Sequence, residues 1–281
     1  MKQYKILFPL LLLLLTSGCI TQFIPETDED KDLLVVEGII TDQPGINTIK
    51  LSKSLPLGSK TALKPLKGCI VTISDDLGNT FNLKESVTGT YVTDPSQFTG
   101  RIGRFYTLHI TTISGTTNHT FESYPMEMKP VPPIDSIFYK KVTIREASDI
   151  SQETEGCQVY LSTHDPLNQC EFYRWEYSET WEFRLPYFVP NRKCWISANS
   201  GEINVKSTSA LSEDRISGYP LKFISNSTDR LKVRYSILVN QYSLNEEEYV
   251  YWEKLKNIGE QVGGLYDMIP AEVPSNIWCT E

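Results

Sequence analysis

Phe172-Tyr173-Arg174-Trp175-Glu176-Tyr177 sets Tyr173, Trp175 and Tyr177 opposite Phe172, Arg174 and Glu176. A period of two marks an extended chain, whose successive side chains point to opposite faces. Trp181, Phe183 and Leu185 repeat the pattern, and farther on Val233, Tyr235, Ile237 and Val239 alternate with Lys232, Arg234, Ser236 and Leu238. Toward the N-terminus, Ile134 to Arg145 and Cys157 to Thr163 also read as strands. One segment departs from this rhythm. Ser243-Leu244-Asn245-Glu246 reads as a capping box, and Leu244, Tyr251, Leu255 and Ile258 share one stripe, which predicts a helix near 244–258 ending at Gly259. Residues 134–281 are therefore expected to form a β-rich module with a C-terminal helix.

Residues 33–129 show strands without helical interruption. Leu33 to Thr41 ends at the turn Asp42-Gln43-Pro44-Gly45, and Thr48 to Ser52 follows. Cys69, Val71 and Ile73 share a face, the turn Asp75-Asp76-Leu77-Gly78-Asn79 leads into Thr80 to Leu83, and Tyr106, Leu108 and Ile110 alternate with Thr107, His109 and Thr111. This spacing predicts an immunoglobulin-like antiparallel sandwich. Pro130-Val131-Pro132-Pro133 (130–133) reads as a stiff linker to the next module, because proline removes backbone donors and favours an extended chain. The expected fold class is mainly β.

The 281 residues are 40% hydrophobic and 22% charged, an ordinary globular composition. A net charge of -8 argues against a nucleic-acid partner, whose phosphates require clustered Lys and Arg. Lys2 and Lys5 precede the apolar run Ile6 to Leu15, and Thr16-Ser17-Gly18 leads into Cys19. Ten apolar residues are too short to span a hydrocarbon core of roughly 30 Å, so residues 1–18 read as a secretion signal rather than a retained helix. Small residues before a cysteine resemble the bacterial lipoprotein signal, with Cys19 acylated as the new N-terminus. Thr16 stands where such signals usually carry an aliphatic residue. Cleavage removes two lysines and takes the net charge to −10. Residues 19–32, with Glu26-Thr27-Asp28-Glu29-Asp30, read as an acidic tether. The same acidic run resembles a surface-export signal, so both the periplasmic face and the cell surface are open. The membrane is the expected partner, through the lipid.

The chain resembles the Bacteroidota lipoproteins grouped as domain of unknown function 4249. The resemblance rests on Leu34-Val35-Val36-Glu37-Gly38 with Thr41-Asp42, and on Val131-Pro132-Pro133-Ile134-Asp135-Ser136-Ile137. It continues in Tyr173-Arg174-Trp175-Glu176-Tyr177 with Thr180-Trp181-Glu182, and in Tyr235-Ser236-Ile237-Leu238-Val239 with Gln241-Tyr242-Ser243-Leu244. It implies an outer-membrane lipoprotein without an established reaction, associated with a TonB-dependent receptor. Asp135-Ser136-Ile137 also resembles an O-glycosylation tripeptide of that phylum, which makes Ser136 a candidate; the rival reading is the start of a strand.

His109, His119 and His164 lack the spacing of a zinc helix, and no nucleophile elbow is present. Each reads as a surface histidine. Glu176, Glu179 and Glu182 could supply the two carboxylates of a glycoside hydrolase, or could be charged strand exteriors. The expectation is no catalytic residue, no metal and no cofactor, in a binding or accessory protein. A secreted glycan-active hydrolase and an adhesin-like structural role are the alternatives. Phe172, Tyr173, Trp175, Tyr177, Trp181, Phe183, Tyr187, Phe188 and Trp195 are crowded together. Tyr173, Trp175, Tyr177 and Trp181 are thus candidates for a ligand or partner surface, with core packing the first-ranked alternative. Of five cysteines beyond Cys19, Cys69 reads as a buried core residue. Cys157, Cys170, Cys194 and Cys279 allow three disulfide pairings, of which Cys157 with Cys170 and Cys194 with Cys279 is favoured; zinc binding competes.

Overall fold

A computed structural model describes residues 33–280 apart from 56–62, 115–116, 147–148, 186, 188–189 and 262–272. The signal 1–18, Cys19, the tether to residue 32 and Phe188 lie outside the described residues. The chain divides into two compact units, residues 1–35 with 52–64 and residues 36–51 with 65–281. In the smaller unit, Ser54 N–H donates to the Leu33 carbonyl at 2.8 Å, and Leu33 N–H donates to Ser54 Oγ at 3.0 Å.

The strands are β1 (Leu34–Ile39), β2 (Thr48–Lys53), β3 (Lys64–Pro65), β4 (Ile70–Asp75), β5 (Thr80–Asn82), β6 (Lys84–Val87) and β7 (Thr90–Val92). They continue with β8 (Phe105–Ser114), β9 (Thr117–Ser123), β10 (Met126–Glu127), β11 (Ile134–Glu146), β12 (Asp149–His164) and β13 (Phe172–Arg184). Then come β14 (Lys193–Asn199), β15 (Asn204–Ser207), β16 (Arg215–Ser225), β17 (Arg234–Ser243), helix α1 (Glu246–Gln261) and β18 (Ile277–Cys279). The mainly-β expectation holds, with antiparallel sheets and one helix near the C-terminus among the described residues.

One sheet runs β1-β2-β7-β6 and a second runs β18-β9-β8-β4-β5. A third runs β11-β12-β16. In the fourth, β13 pairs with β17 along 173–182 and with β15 and β14 at its two ends. The two segments of alternation around Trp175 and Trp181 are therefore one 13-residue strand. Its odd-numbered side chains fill the core between the third and fourth sheets: Tyr173, Trp175 and Tyr177 pack with Val159, Leu161, Ile216, Leu221 and Ile224. Phe172 points the other way and joins Val205 and Leu244, against which Tyr249 and Trp252 of α1 pack. β13 is thus covered on both faces near its start.

Two local expectations are corrected and a third is extended. The helix is capped by Asn245, whose N–H donates to the Glu248 carboxylate at 2.8 Å, two residues beyond the expected box. Ser243 cannot serve, because it still pairs with Tyr173 in the sheet. The stiff proline stretch is also bonded in place through its carbonyls: Gln241 Nε2 donates to the Pro132 carbonyl at 2.7 Å, and Thr163 Oγ1 donates to the Pro133 carbonyl at 3.1 Å. Proline lacks a donor but keeps a strong acceptor. Ile277–Cys279, placed by the sequence with the second module, pairs with β9.

Gly89 turns the chain between β6 and β7 with φ +73°, and an added Cβ would stand 2.8 Å from the Leu51 carbonyl and 2.7 Å from Pro65 Cβ. Strain and crowding act together there. Gly89→Ala is expected to cost about 2–3 kcal/mol in urea unfolding, against a few tenths for an ordinary surface change.

Candidate functional site

A cleft of about 760 Å³ opens between the inner faces of the first two sheets, the end of β17 and the start of α1. Strand alternation builds its floor. Ile73 on β4, Leu108 on β8 and Ile49 on β2 share the inner side, and Ile39, Ile102, Met126 and Met128 complete the apolar part. Met128 lies against Gly100, whose lack of a side chain leaves it room. Methionine is unbranched and polarizable, so this part of the floor can adapt to more than one shape.

The opposing wall is polar and comes from Asn240 to Asn245 and Glu248. Behind it sits a cluster of charges held by aromatic rings. Arg174 pairs with Glu176, its guanidinium lies 3.7 Å from the Trp252 ring centroid, and Tyr242 Oη donates to Glu176 Oε2 at 3.2 Å. Burial lowers the Arg174 pKa, although Glu176, Tyr242 and Glu248 all favour its charge. Burial likewise raises the Glu248 pKa against the opposing bonds from Asn245. Asn245 Nδ2 donates to the Glu127 carbonyl at 3.0 Å, fastening α1 to the rim. An apolar floor facing a polar wall suits a ligand that buries one side and hydrogen-bonds along the other.

The sequence-selected aromatics are elsewhere. Tyr173 and Trp175 are 0% exposed, Tyr177 4% and Trp181 5%, so these four are core and not a ligand or partner surface. So many large rings on one strand face are stable only when packed. Three of their polar edges are bonded inside: Tyr173 Oη donates to Asp214 at 2.8 Å, Trp175 Nε1 to Gln241 Oε1 at 2.8 Å and Tyr177 Oη to Glu202 at 3.4 Å, while the buried Trp181 Nε1 has no hydrogen-bond partner among the described residues. The three glutamates are also committed. Glu179 accepts from Arg230 and Tyr235, Glu182 accepts from Arg184 at 3.1 Å, and Glu176 belongs to the Arg174 cluster. Ser136 is exposed on β11, opposite Ser162. His164 Nδ1 lies 2.7 Å from Asp135, and His109 Nε2 lies 2.8 Å from Ser74 Oγ. Among the described residues no three His, Cys, Asp or Glu side chains gather as metal ligands, and no helix is long and apolar enough to cross a membrane.

The structure does not bring the cysteines together as disulfides. Cys157 sits on β12 opposite Ile224, and Cys170 is fully buried with its thiol directed to the Phe172 carbonyl. Cys194 on β14 faces Phe183, whereas Cys279 on β18 faces Phe121 in a different sheet. Cys69 is half-buried rather than buried, and its N–H donates to Tyr91 Oη at 2.9 Å. Burial pushes the Cys170 thiol up to about 11. A thiol reagent at pH 8 is therefore expected to alkylate Cys170 about 100-fold more slowly in the folded chain than in urea. Comparable rates in the two states, read by peptide mass spectrometry, would contradict the burial.

The cleft itself escaped the sequence reading, because its residues come from Val36 to Ile277 and share no local pattern. No curated protein and no solved structure matches the chain. The family model described as Domain of unknown function (DUF4249) matches residues 20–281, starting one residue after Cys19, and the chain belongs to that family.

Proposed function

We propose that this chain is a noncatalytic envelope lipoprotein, a binding or accessory component associated with a TonB-dependent outer-membrane receptor. The observation that carries the reading is the family boundary. The matched region opens at residue 20, one residue after Cys19, which would be the first residue of a chain cleaved and acylated there. The cleft supports a binding role, since its volume falls within the range of roughly 300–1,000 Å³ usual for ligand sites. In this reading the lipid holds the chain at the outer membrane, on the periplasmic face or the cell surface, and exposed Ser136 is a candidate for glycosylation.

Cys19→Ala tests the anchor. Each lipid CH₂ contributes about 0.8 kcal/mol of membrane attachment, so losing the acylated cysteine is expected to move the chain from the membrane pellet to the soluble fraction. Retention of the variant in the pellet would instead require a protein partner, and retention in a host that lacks the receptor would refute anchoring by Cys19.

A further inference from the structure

The sheet β18-β9-β8-β4-β5 has a second face, turned away from the cleft. Val71, Ile73 and Ile110 are 2%, 2% and 0% exposed on its inner side. Alternation sends Thr72, Ser74, His109 and Glu122 to the outer side. The registers place Thr72 beside His109, His109 beside Glu122, and Glu122 beside Trp278. These residues form a row across four strands. At its end the rings of Tyr124 and Trp278 lie 4.4 Å apart with planes 38° from parallel, Tyr124 being 56% and Trp278 36% exposed. The polar part is ordered too: Ser74 Oγ and His109 Nε2 are 2.8 Å apart, and His109 Nδ1 is 3.9 Å from Glu122.

We propose that this face binds a neutral polysaccharide, with one sugar ring stacked on the Tyr124 and Trp278 pair and the next hydrogen-bonded over Glu122 and His109. A sugar ring presents C–H groups on its flat side and hydroxyls around its edge. Exposed aromatic rings match the first, while a carboxylate, an imidazole and hydroxyls match the second with both donors and acceptors. Neighbouring strands lie about 4.8 Å apart, close to the breadth of one sugar ring, so successive rings of a chain can address successive strands. Charge narrows the class. Glu122 and a net charge of -8 repel acidic glycans.

A protein partner would ask for an apolar patch continuing beyond the rings, and the row next to them, Glu122, His109 and Thr72, is polar, with the exposed Ile70 and Ile113 of this face in other rows. Ser74, His109 and Glu122 also suggest a nucleophile, base and acid. The distance of 3.9 Å is too long for the hydrogen bond that orients a catalytic imidazole, and the three groups lie on an open sheet face. The proposal is independent of the cleft, so failure of either leaves the other standing.

Native-gel retardation of the purified full chain tests it. The probes are galactomannan, xyloglucan, arabinoxylan, mixed-linkage glucan and glycogen, with polygalacturonate as the acidic comparison. At least one neutral polymer is expected to retard the chain, and polygalacturonate is not. Tyr124→Ala and Trp278→Ala are each expected to weaken that retardation about tenfold. Trp195→Ala, which removes an exposed ring on β14, should leave it unchanged. Trp278→Phe keeps a ring and should keep most of the binding, which separates loss of stacking from loss of folding. Retardation by none of the neutral polymers, stronger retardation by polygalacturonate, or unchanged binding by the folded Tyr124→Ala/Trp278→Ala double variant would overturn the proposal.

Discussion

Arg230→Ala is expected to destabilise the protein by about 3 kcal/mol, the range in which buried ion pairs fail when one partner is removed. Glu179 points into the protein from β13, its side chain only 5% exposed. Arg230 meets it with Nε and Nη2 at 3.0 Å, and Tyr235 Oη donates to its other oxygen at 2.9 Å. The same guanidinium lies 4.3 Å from the Trp181 ring centroid. Alanine leaves the carboxylate with one phenol for compensation and removes a cation from the ring face. Because the harm lies in an uncompensated charge, adding Glu179→Gln to Arg230→Ala should recover part of the loss. Urea unfolding of the single and double variants measures this. A double variant less stable than Arg230→Ala alone would show that the charge is not the cause.

Trp175→Ala should cost more, about 4–5 kcal/mol. Removing a fully buried indole forfeits its transfer energy and leaves a cavity, which together account for about 3–5 kcal/mol. It also orphans Gln241 Oε1, the acceptor of the indole N–H. Gln241 is the group that holds the Pro132 carbonyl and also donates to Thr163 Oγ1 at 3.1 Å. The damage should therefore reach the proline stretch, and limited proteolysis near residues 130–133 should accelerate in the variant. Trp175→Phe, which keeps most of the volume but not the N–H, should fall between the two. If Trp175→Phe matched the wild type in stability and proteolysis, the hydrogen-bond relay would carry no weight.

The strands were legible because burial enforces alternation. The Tyr173, Trp175 and Tyr177 face is the buried face, and Tyr251, Leu255 and Ile258 do lie on a helix, although Leu244 precedes it and Tyr249 and Trp252 make its contact with the core. Alternation identifies two faces of a strand but does not say what covers each. Arg174 reads as an exterior residue, yet α1 brings Trp252 over it. Aromatic rings look alike in a sequence whether they are packed or wet, so the cluster in β13 drew notice that belonged to Tyr124 and Trp278. Those two are 154 residues apart and meet only because a three-residue strand, too short to leave a periodic signal, pairs with β9. The proline stretch was read from its missing donors. Its carbonyls, which hold it in place, have no signature in the sequence.

Recovery of the chain from the outer membrane of its native host, with tryptic mass analysis of its N-terminus and of its co-purifying proteins, tests the functional account most directly. The account predicts a mature N-terminus at acylated Cys19 and a stoichiometric TonB-dependent receptor in the same complex. A chain recovered alone with an unmodified Cys19 thiol would contradict it.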